Sequence, residues 1–173
     1  MTKERAYVFA TAGNAARWQR HRTNPVQRTP DGLFRQLDGE FGFTVDAAAS
    51  ALNAKCPRFW TVADDALGRD WSGERVWCNP PFGAGLIHWT RKAWESSRSG
   101  ALVVMLVPSA TDAAWWHDYV SAADEIRFIR GRVAFNSEDG QKQSNAFFPV
   151  SILVFRPQHT GERDALQLDS VPG

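Results

Sequence analysis

The sequence has no apolar run approaching the roughly 20 residues that a membrane-spanning helix needs. Its opening stretch, Met1 to Asn14, lacks the apolar segment of a secretory signal. Only two cysteines occur among 173 residues, Cys56 and Cys78, and neither has a partner at CxxC or Cys/His spacing. This argues against a disulfide framework and a structural zinc site, and leaves two reduced thiols in a cytoplasmic protein. His21, His88 and His117 show no spacing that would converge on a metal, so no metal ligand is assigned. A Gly-rich dinucleotide loop is missing as well, since Gly83-Ala84-Gly85 is only a fragment of one. Internal repeats and low-complexity linkers are absent, and the length suits one domain better than two.

What is present is an ordinary globular composition, 43% hydrophobic and 23% charged, with a net charge of only +1. That near-neutral sum hides an asymmetry. Arg17, Arg20, His21, Arg22, Arg28 and Arg35 crowd the N-terminal part, and Arg127, Arg130, Arg132 and Lys142 form a second basic group. Clusters of this kind either track a phosphate backbone or form a solvated surface, and charge alone favours the second.

Residues 1–28 read as a basic arm, 29–158 as the folded domain and 159–173 as a tail. Asp31 to Leu37 has apolar residues at helical spacing, with Pro30 in a first-turn position. Phe41 to Asp46 reads as a strand that runs into a tight loop and then a helix at Ala47-Ala48-Ala49-Ser50. Arg58 to Val62 reads as a second strand, and Arg75 to Cys78 as a strand that stops at Asn79-Pro80-Pro81. A helix carrying Leu86, Ile87, Trp89, Ala93 and Trp94 follows. The unbroken apolar run Ala101 to Val107 suits a parallel strand buried on both faces. Thr111-Asp112 is placed to cap a helix over Ala113 to Ala122. Glu125 to Ile129 and Ser151 to Phe155 read as strands, with a polar loop, Gly131 to Pro149, between them. Alternating strands and helices predict an α/β fold with a parallel sheet, whose ligands bind at the carboxyl ends of the strands. Asp46 and Asn79 both fall at such ends.

Asn79-Pro80-Pro81-Phe82 is the string that carries chemistry. A chance match to Asn-Pro-Pro-aromatic is expected in about one chain per thousand of this length. Two prolines would also serve simply to terminate a strand, but termination requires neither an asparagine nor an aromatic ring. Methylation of an exocyclic amine uses both. Such an amine is a poor nucleophile because its lone pair is delocalised into the ring. Acceptors on its two N–H groups draw the nitrogen towards sp³ geometry. The Asn79 side-chain carbonyl and the Pro80 main-chain carbonyl are two such acceptors, and the prolines hold them rigidly. Phe82 offers a face on which a flipped-out base stacks. Cys78 reads as pointing from its strand into the core, not as a nucleophile.

A methyl donor such as S-adenosylmethionine carries an ammonium and a carboxylate but no pyrophosphate, so it calls for a carboxylate near the ammonium. Asp46, followed by the small Ala47 and Ala48, suits that task, and capping of a following helix explains it equally well. Asp64 and Asp65 are either acceptors for an adenine amine or solvated turn residues. The eight tryptophans are core by default, with Trp89 and Trp94 assigned to packing and one of Trp115-Trp116 left near the mouth of a site. In the Gly131–Pro149 loop, Arg132, Lys142, Gln143 and Asn145 are side-chain types that read base edges.

Taken in order, Thr29-Pro30 with Leu33-Phe34, Phe43 to Ser50 with Asn53 to Cys56, and Asp65-Ala66-Leu67 with Trp71 form a familiar series. It continues with Val76 to Gly83, Val107-Pro108 with Trp115-Trp116, and Phe128 to Phe135. From about Thr29 to Phe155 the chain resembles the phage-type DNA N-6-adenine methyltransferases. The resemblance implies a Rossmann-like class I methyltransferase fold, a mostly parallel sheet flanked by helices, with S-adenosyl-L-methionine as cofactor and double-stranded DNA as partner. It also implies a phage or prophage setting in a bacterial cytoplasm. Asn79, Pro80, Pro81 and Phe82 match the family's active-site motif. Thr29, Pro30, Asp46, Ala47, Ala48 and Asp65 match its cofactor positions, with Thr29-Pro30 implied to help hold the cofactor's carboxylate. The implied order, with the cofactor motif before the catalytic one and no large insert between them, leaves little room for a separate recognition domain, so target contacts are expected from loops such as Gly131 to Pro149, with Arg130, Arg132, Lys142, Gln143 and Asn145 as the candidates. Two features depart from the wider pattern: Ala-Ala-Ala-Ser replaces a FxGxG loop, and Phe82 stands where tyrosine is commoner. The same tetrad chemistry also serves RNA adenine or protein glutamine, and an inert DNA-binding relative is the alternative of a different class.

Overall fold

A computed structural model describes residues 28–136, 142–145 and 148–158. Of the expected basic arm only Arg28 falls within them, so Arg17, Arg20, His21 and Arg22 lie outside the described residues, as does the 159–173 tail.

Helix α1, Asp31–Phe41, exists because Phe34, Leu37 and Phe41 recur on one face and are buried there. Pro30 sits at its N-cap, not inside the first turn: its backbone is extended (φ −55°, ψ 134°) and its carbonyl accepts Phe34 N–H at 3.1 Å. Gly42 ends the helix in the left-handed region (φ 62°), donating its N–H to the Asp38 carbonyl at 2.7 Å. Strand β1, Val45–Asp46, is only two residues long. Beyond it come β2 (Arg75–Cys78), helix α2 (Leu86–Arg98), β3 (Leu102–Pro108), helix α3 (Ala114–Tyr119) and β4 (Glu125–Phe128). Then follow β5 (Ala134–Asn136), β6 (Lys142–Asn145) and β7 (Val150–Phe155).

Five strands form one sheet in the order β1-β2-β3-β7-β4. The β1–β2 and β2–β3 ladders are parallel, whereas β7 is antiparallel to both β3 and β4. The sheet is therefore mixed, which corrects the mostly parallel expectation. β7 enters directly from the β5–β6 segment without a helical crossover, and antiparallel pairing needs none.

Side chains of β3 alternate between the two faces, which is why its sequence is apolar throughout. Val103, Met105 and Val107 join Trp71, Leu86, Trp116 and Val120 under α2 and α3. Leu102, Val104 and Leu106 join Phe34, Leu37, Phe41 and Phe135 on the α1 side.

Four further local expectations are corrected. Arg58 to Val62 is not a strand: Phe59 makes an isolated parallel bridge to Asp46, and a 3-10 turn follows at Val62–Asp64. A two-residue β1 offers too short an edge for longer pairing, and Asp64 turns the chain by accepting the Thr61 N–H and hydroxyl, each at 2.8 Å. No helix forms at Ala47 to Ser50, because the Asp46 carboxylate takes the N–H groups of Ala48 and Lys55 instead. Helix α3 starts at Ala114 with Ala113 as N-cap and no side-chain cap, so Thr111-Asp112 does not cap it. The Gly131–Pro149 segment carries the β5–β6 antiparallel pair within what reads as a polar loop. Among the described residues no helix is long and apolar enough to cross a membrane.

Candidate active site

Asp46 and Trp77 are register partners in parallel strands, and Ala47 N–H donates to the Trp77 carbonyl at 2.9 Å. Asp46 and Asn79 therefore leave the sheet side by side at one edge. In the tetrad, Pro80 is buried, Asn79 and Phe82 are half-buried and Pro81 is exposed. Gly83 follows with φ 147°, a backbone that a side chain strains, and its carbonyl accepts Leu86 N–H at the start of α2. The glycine thus lets the chain turn straight from the tetrad into the helix.

Beside the tetrad lies a cleft of about 300 Å³ whose walls include Ala47, Ala48, Trp60, Asp65, Pro81 and Trp89. The cleft brings together three of the expected cofactor residues, Ala47, Ala48 and Asp65, with Pro81. Asp65 is exposed and sits in the left-handed region (φ 47°) directly after the 3-10 turn. Asp64 is used internally: besides Thr61 it accepts from Arg69 at 2.9 Å, and the Thr61 bonds hold its carboxyl below the usual range. Of the two aspartates, Asp65 is the one on the cleft wall.

The Asp46 carboxylate is not on that wall. It is 3% exposed and accepts from Ala48 N–H at 3.3 Å and Lys55 N–H at 3.0 Å, so it holds the loop that forms the wall. Burial raises its pKa to about 6, against the lowering effect of those two amides. Burial also pushes the Cys56 thiol up to about 12 and Cys78 well above the ordinary range, so neither is a thiolate nucleophile near neutral pH.

Thr29, 2% exposed, meets the tetrad itself: Asn79 Nδ2 donates to Thr29 Oγ1 at 3.2 Å. Pro30 heads α1 as described above. The Phe82 ring packs edge-on against Phe135 (6.1 Å, 74°) and Phe148 (5.7 Å, 65°). These two rings lie in the segment read as a polar loop, and their contact with the tetrad has no local signal in the sequence. Trp60 and Trp89 are likewise cleft residues that the sequence assigned to a strand and to packing. Trp89 does both, since it also packs on Trp71 at 6.5 Å. Its place three residues into the helix after the tetrad was the available signal. Trp116 is buried and Trp115 half-buried against the core, and neither lines the cleft.

Arg130 and Arg132 are exposed just beyond β4 and make no ion pair among the described residues. Lys142, Gln143 and Asn145 lie on β6, and their side chains are outside the described residues. Arg127 differs from its basic neighbours. Its guanidinium donates to both Glu40 carboxylate oxygens at 2.6 Å and to Glu125, and stacks 5.1 Å over the Phe41 ring. It ties α1 to β4 and is committed within the fold.

The chain also matches known proteins. The family model described as DNA N-6-adenine-methyltransferase (Dam) matches residues 20–171. The DNA N-6-adenine-methyltransferase of Escherichia phage T1 is 33% identical over 103 residues, 58% of this chain and 43% of its own length. YfdM of Escherichia coli (strain K12), provisionally named a methyltransferase, is 40% identical over 63 residues, 32% of this chain and 68% of its own length. The chain thus spans less than half the length of the phage relative. With the family model covering most of its residues, the chain belongs to the DNA N-6-adenine-methyltransferase (Dam) family.

Proposed function

We propose that the chain transfers a methyl group from S-adenosylmethionine to adenine N6 in double-stranded DNA. The observation that carries this reading is the Asn79-Pro80-Pro81-Phe82 turn at the carboxyl end of β2, with Pro81 on the wall of a largely apolar cleft. The cleft suits the cofactor chemically: Trp60, Leu67 and Trp89 are apolar surfaces for an adenine ring, and Asp65 is an exposed acceptor for its amine or ribose hydroxyls. The loop Ala47–Ser50, held by Asp46, would flank the methionine part. When bound, the cofactor supplies an electrophilic methyl group on a sulfonium. We read the fold as Rossmann-like class I, with donor and acceptor sites at the carboxyl ends of adjacent strands.

In this mechanism Asn79 Oδ1 and the Pro80 carbonyl accept the two N–H groups of the target amine and turn its lone pair towards the donor. Pro80 and Pro81 keep those acceptors from drifting. Phe82 stacks on the base after it is flipped from the duplex. Arg130 and Arg132, with Lys142, Gln143 and Asn145 of β6, contact the DNA. The enzyme would act on phage or host DNA in a bacterial cytoplasm.

Labelled cofactor and duplex DNA test the proposal, with N6-methyladenine as the expected product. Label appearing only in RNA or protein would overturn it. Asn79→Ala should retain cofactor affinity and lose at least about 100-fold in turnover, as removal of one positioned transition-state contact does. Full activity in that variant would remove Asn79 from the mechanism.

A further inference from the structure

We infer that Phe128 is a DNA-binding residue whose ring inserts into the duplex beside the target nucleotide. The inference rests on the proposed reading that the chain acts on double-stranded DNA.

Phe128 is 71% exposed, and among the described residues no other aromatic side chain is so open. A single exposed apolar side chain is ordinary on any surface, but this one stands at the sheet edge that holds the tetrad. Because β7 is antiparallel to both β3 and β4, β4 runs in the direction of β3 and β2 and ends at the same edge. Phe128 pairs in register with Ser151, and Ser151 with Val107. Counting two residues on from the Cys78–Met105 pair puts Pro80 level with Val107, and hence with Phe128. Three strand spacings of roughly 4.8 Å lie between them, about 14 Å in all. That is too far for the ring to touch the target base and is on the scale of a groove about 12 Å wide, so it meets the duplex next to the base that Phe82 receives.

Side chains alternate along β4. Ile126 packs on the face that carries the cleft residues Ala47, Trp60 and Ala66, while Arg127 lies over the Phe41 ring on the opposite face. Phe128 therefore projects on the side of the cleft. The residues after it add charge. Arg130 and Arg132 are exposed, make no ion pair among the described residues, and flank Gly131, whose φ of 86° turns the chain between them. Glu40 and Glu125 pair with Arg127 and Arg156 instead. Ile129 packs against the core on the α1 side, and Val133 and Phe135 are buried, so the exposed tip is pinned on both sides. An open ring on a fixed base beside two arginines complements a duplex: the cations meet phosphates, and the ring wedges into a base step. An uncharged protein partner would leave both charges unmatched.

Phe128→Ala and Phe128→Trp test the inference in the full chain, by fluorescence anisotropy of a labelled mixed-sequence duplex. Phe128→Ala should weaken duplex binding about 5- to 100-fold, the range of one base–aromatic contact. Phe128→Trp keeps a stacking face and should bind within about threefold of wild type. In Phe128→Ala the slope of log affinity against log salt should stay at its wild-type value, because the ring carries no charge. Its urea midpoint and gel-filtration volume should not move either, since the side chain is exposed. A lowered urea midpoint would overturn the inference by making the ring part of the fold. A wild-type dimer that dissociates in Phe128→Ala would do so by making a second copy its partner. If wild type methylates DNA and Phe128→Ala binds it equally well, the inference alone falls. If wild type binds duplex but transfers no methyl group, the proposed function falls and the affinity comparison still decides the inference. A wild type that binds no duplex sinks both.

Discussion

At the scale of single residues, Asp46 stores the largest electrostatic cost near the cleft. Its carboxylate gains two main-chain N–H bonds but loses more by leaving water, so its pKa rises from 3.8 to about 6. Between those values the folded chain holds more protons than the unfolded one. The contribution of Asp46 to stability is therefore fully present below pH about 4 and is lost as pH rises through about 6, a change on the order of 3 kcal/mol. Urea unfolding of wild type and Asp46→Asn across this range should diverge accordingly, with wild type losing ground to the variant as pH rises. Parallel profiles would mean that the carboxyl titrates normally. The two carboxyl oxygens accept the Ala48 and Lys55 amides, and that loop forms the wall at Ala47 and Ala48.

At the scale of elements, the arginines of and after β4 separate into two kinds. Arg127 is consumed in joining α1 to β4 through Glu40 and Glu125, while Arg130 and Arg132 extend beyond the strand. Arg127→Ala should cost about 1 kcal/mol of stability, since the pair is partly exposed and screened, and should leave the salt dependence of DNA binding unchanged. Arg130→Ala and Arg132→Ala should each reduce the slope of log affinity against log salt by about 1 while shifting stability by less than about 0.5 kcal/mol. Fluorescence anisotropy of labelled duplex at several salt concentrations measures the slopes. Unchanged slopes in both variants would remove these arginines from the interface. Phe135 of β5 packs edge-on against Phe82 and so connects the β5–β6 pair to the tetrad.

At the scale of the whole molecule, β3 is the central member of the sheet and is covered on both faces. Leu106 is fully buried among the side chains under α1, and Met105 among those under α2 and α3. Leu106→Ala should lower unfolding free energy by about 2–5 kcal/mol, a large part of what a domain of this size has. A loss below about 1 kcal/mol in urea unfolding would contradict burial between two layers. Such packing holds the carboxyl ends of β1 and β2 rigid, which the proposed placement of two reacting groups requires.

Residue patterns alone determined the strand at Arg75–Cys78, a strand over Ala101–Val107 that the structure places at Leu102–Pro108, the helices beginning near Asp31 and Leu86, and the tetrad at a strand's end. These are set by short-range periodicity, proline stereochemistry and glycine, all of which act within a few residues. Tertiary structure alone decided that β7 runs against its neighbours, that Phe59 makes a bridge and not a strand, and that Ala47–Ser50 stays a loop. It also decided that Arg127 is spent on Glu40, 87 positions away in sequence, and that Thr29 reaches Asn79 across 50. Each of these depends on which groups meet after the chain has closed on itself, and no local pattern encodes a hydrogen bond between residues so far apart. The sequence therefore offered Asn79 as a candidate, and the fold placed the Thr29 hydroxyl beside it.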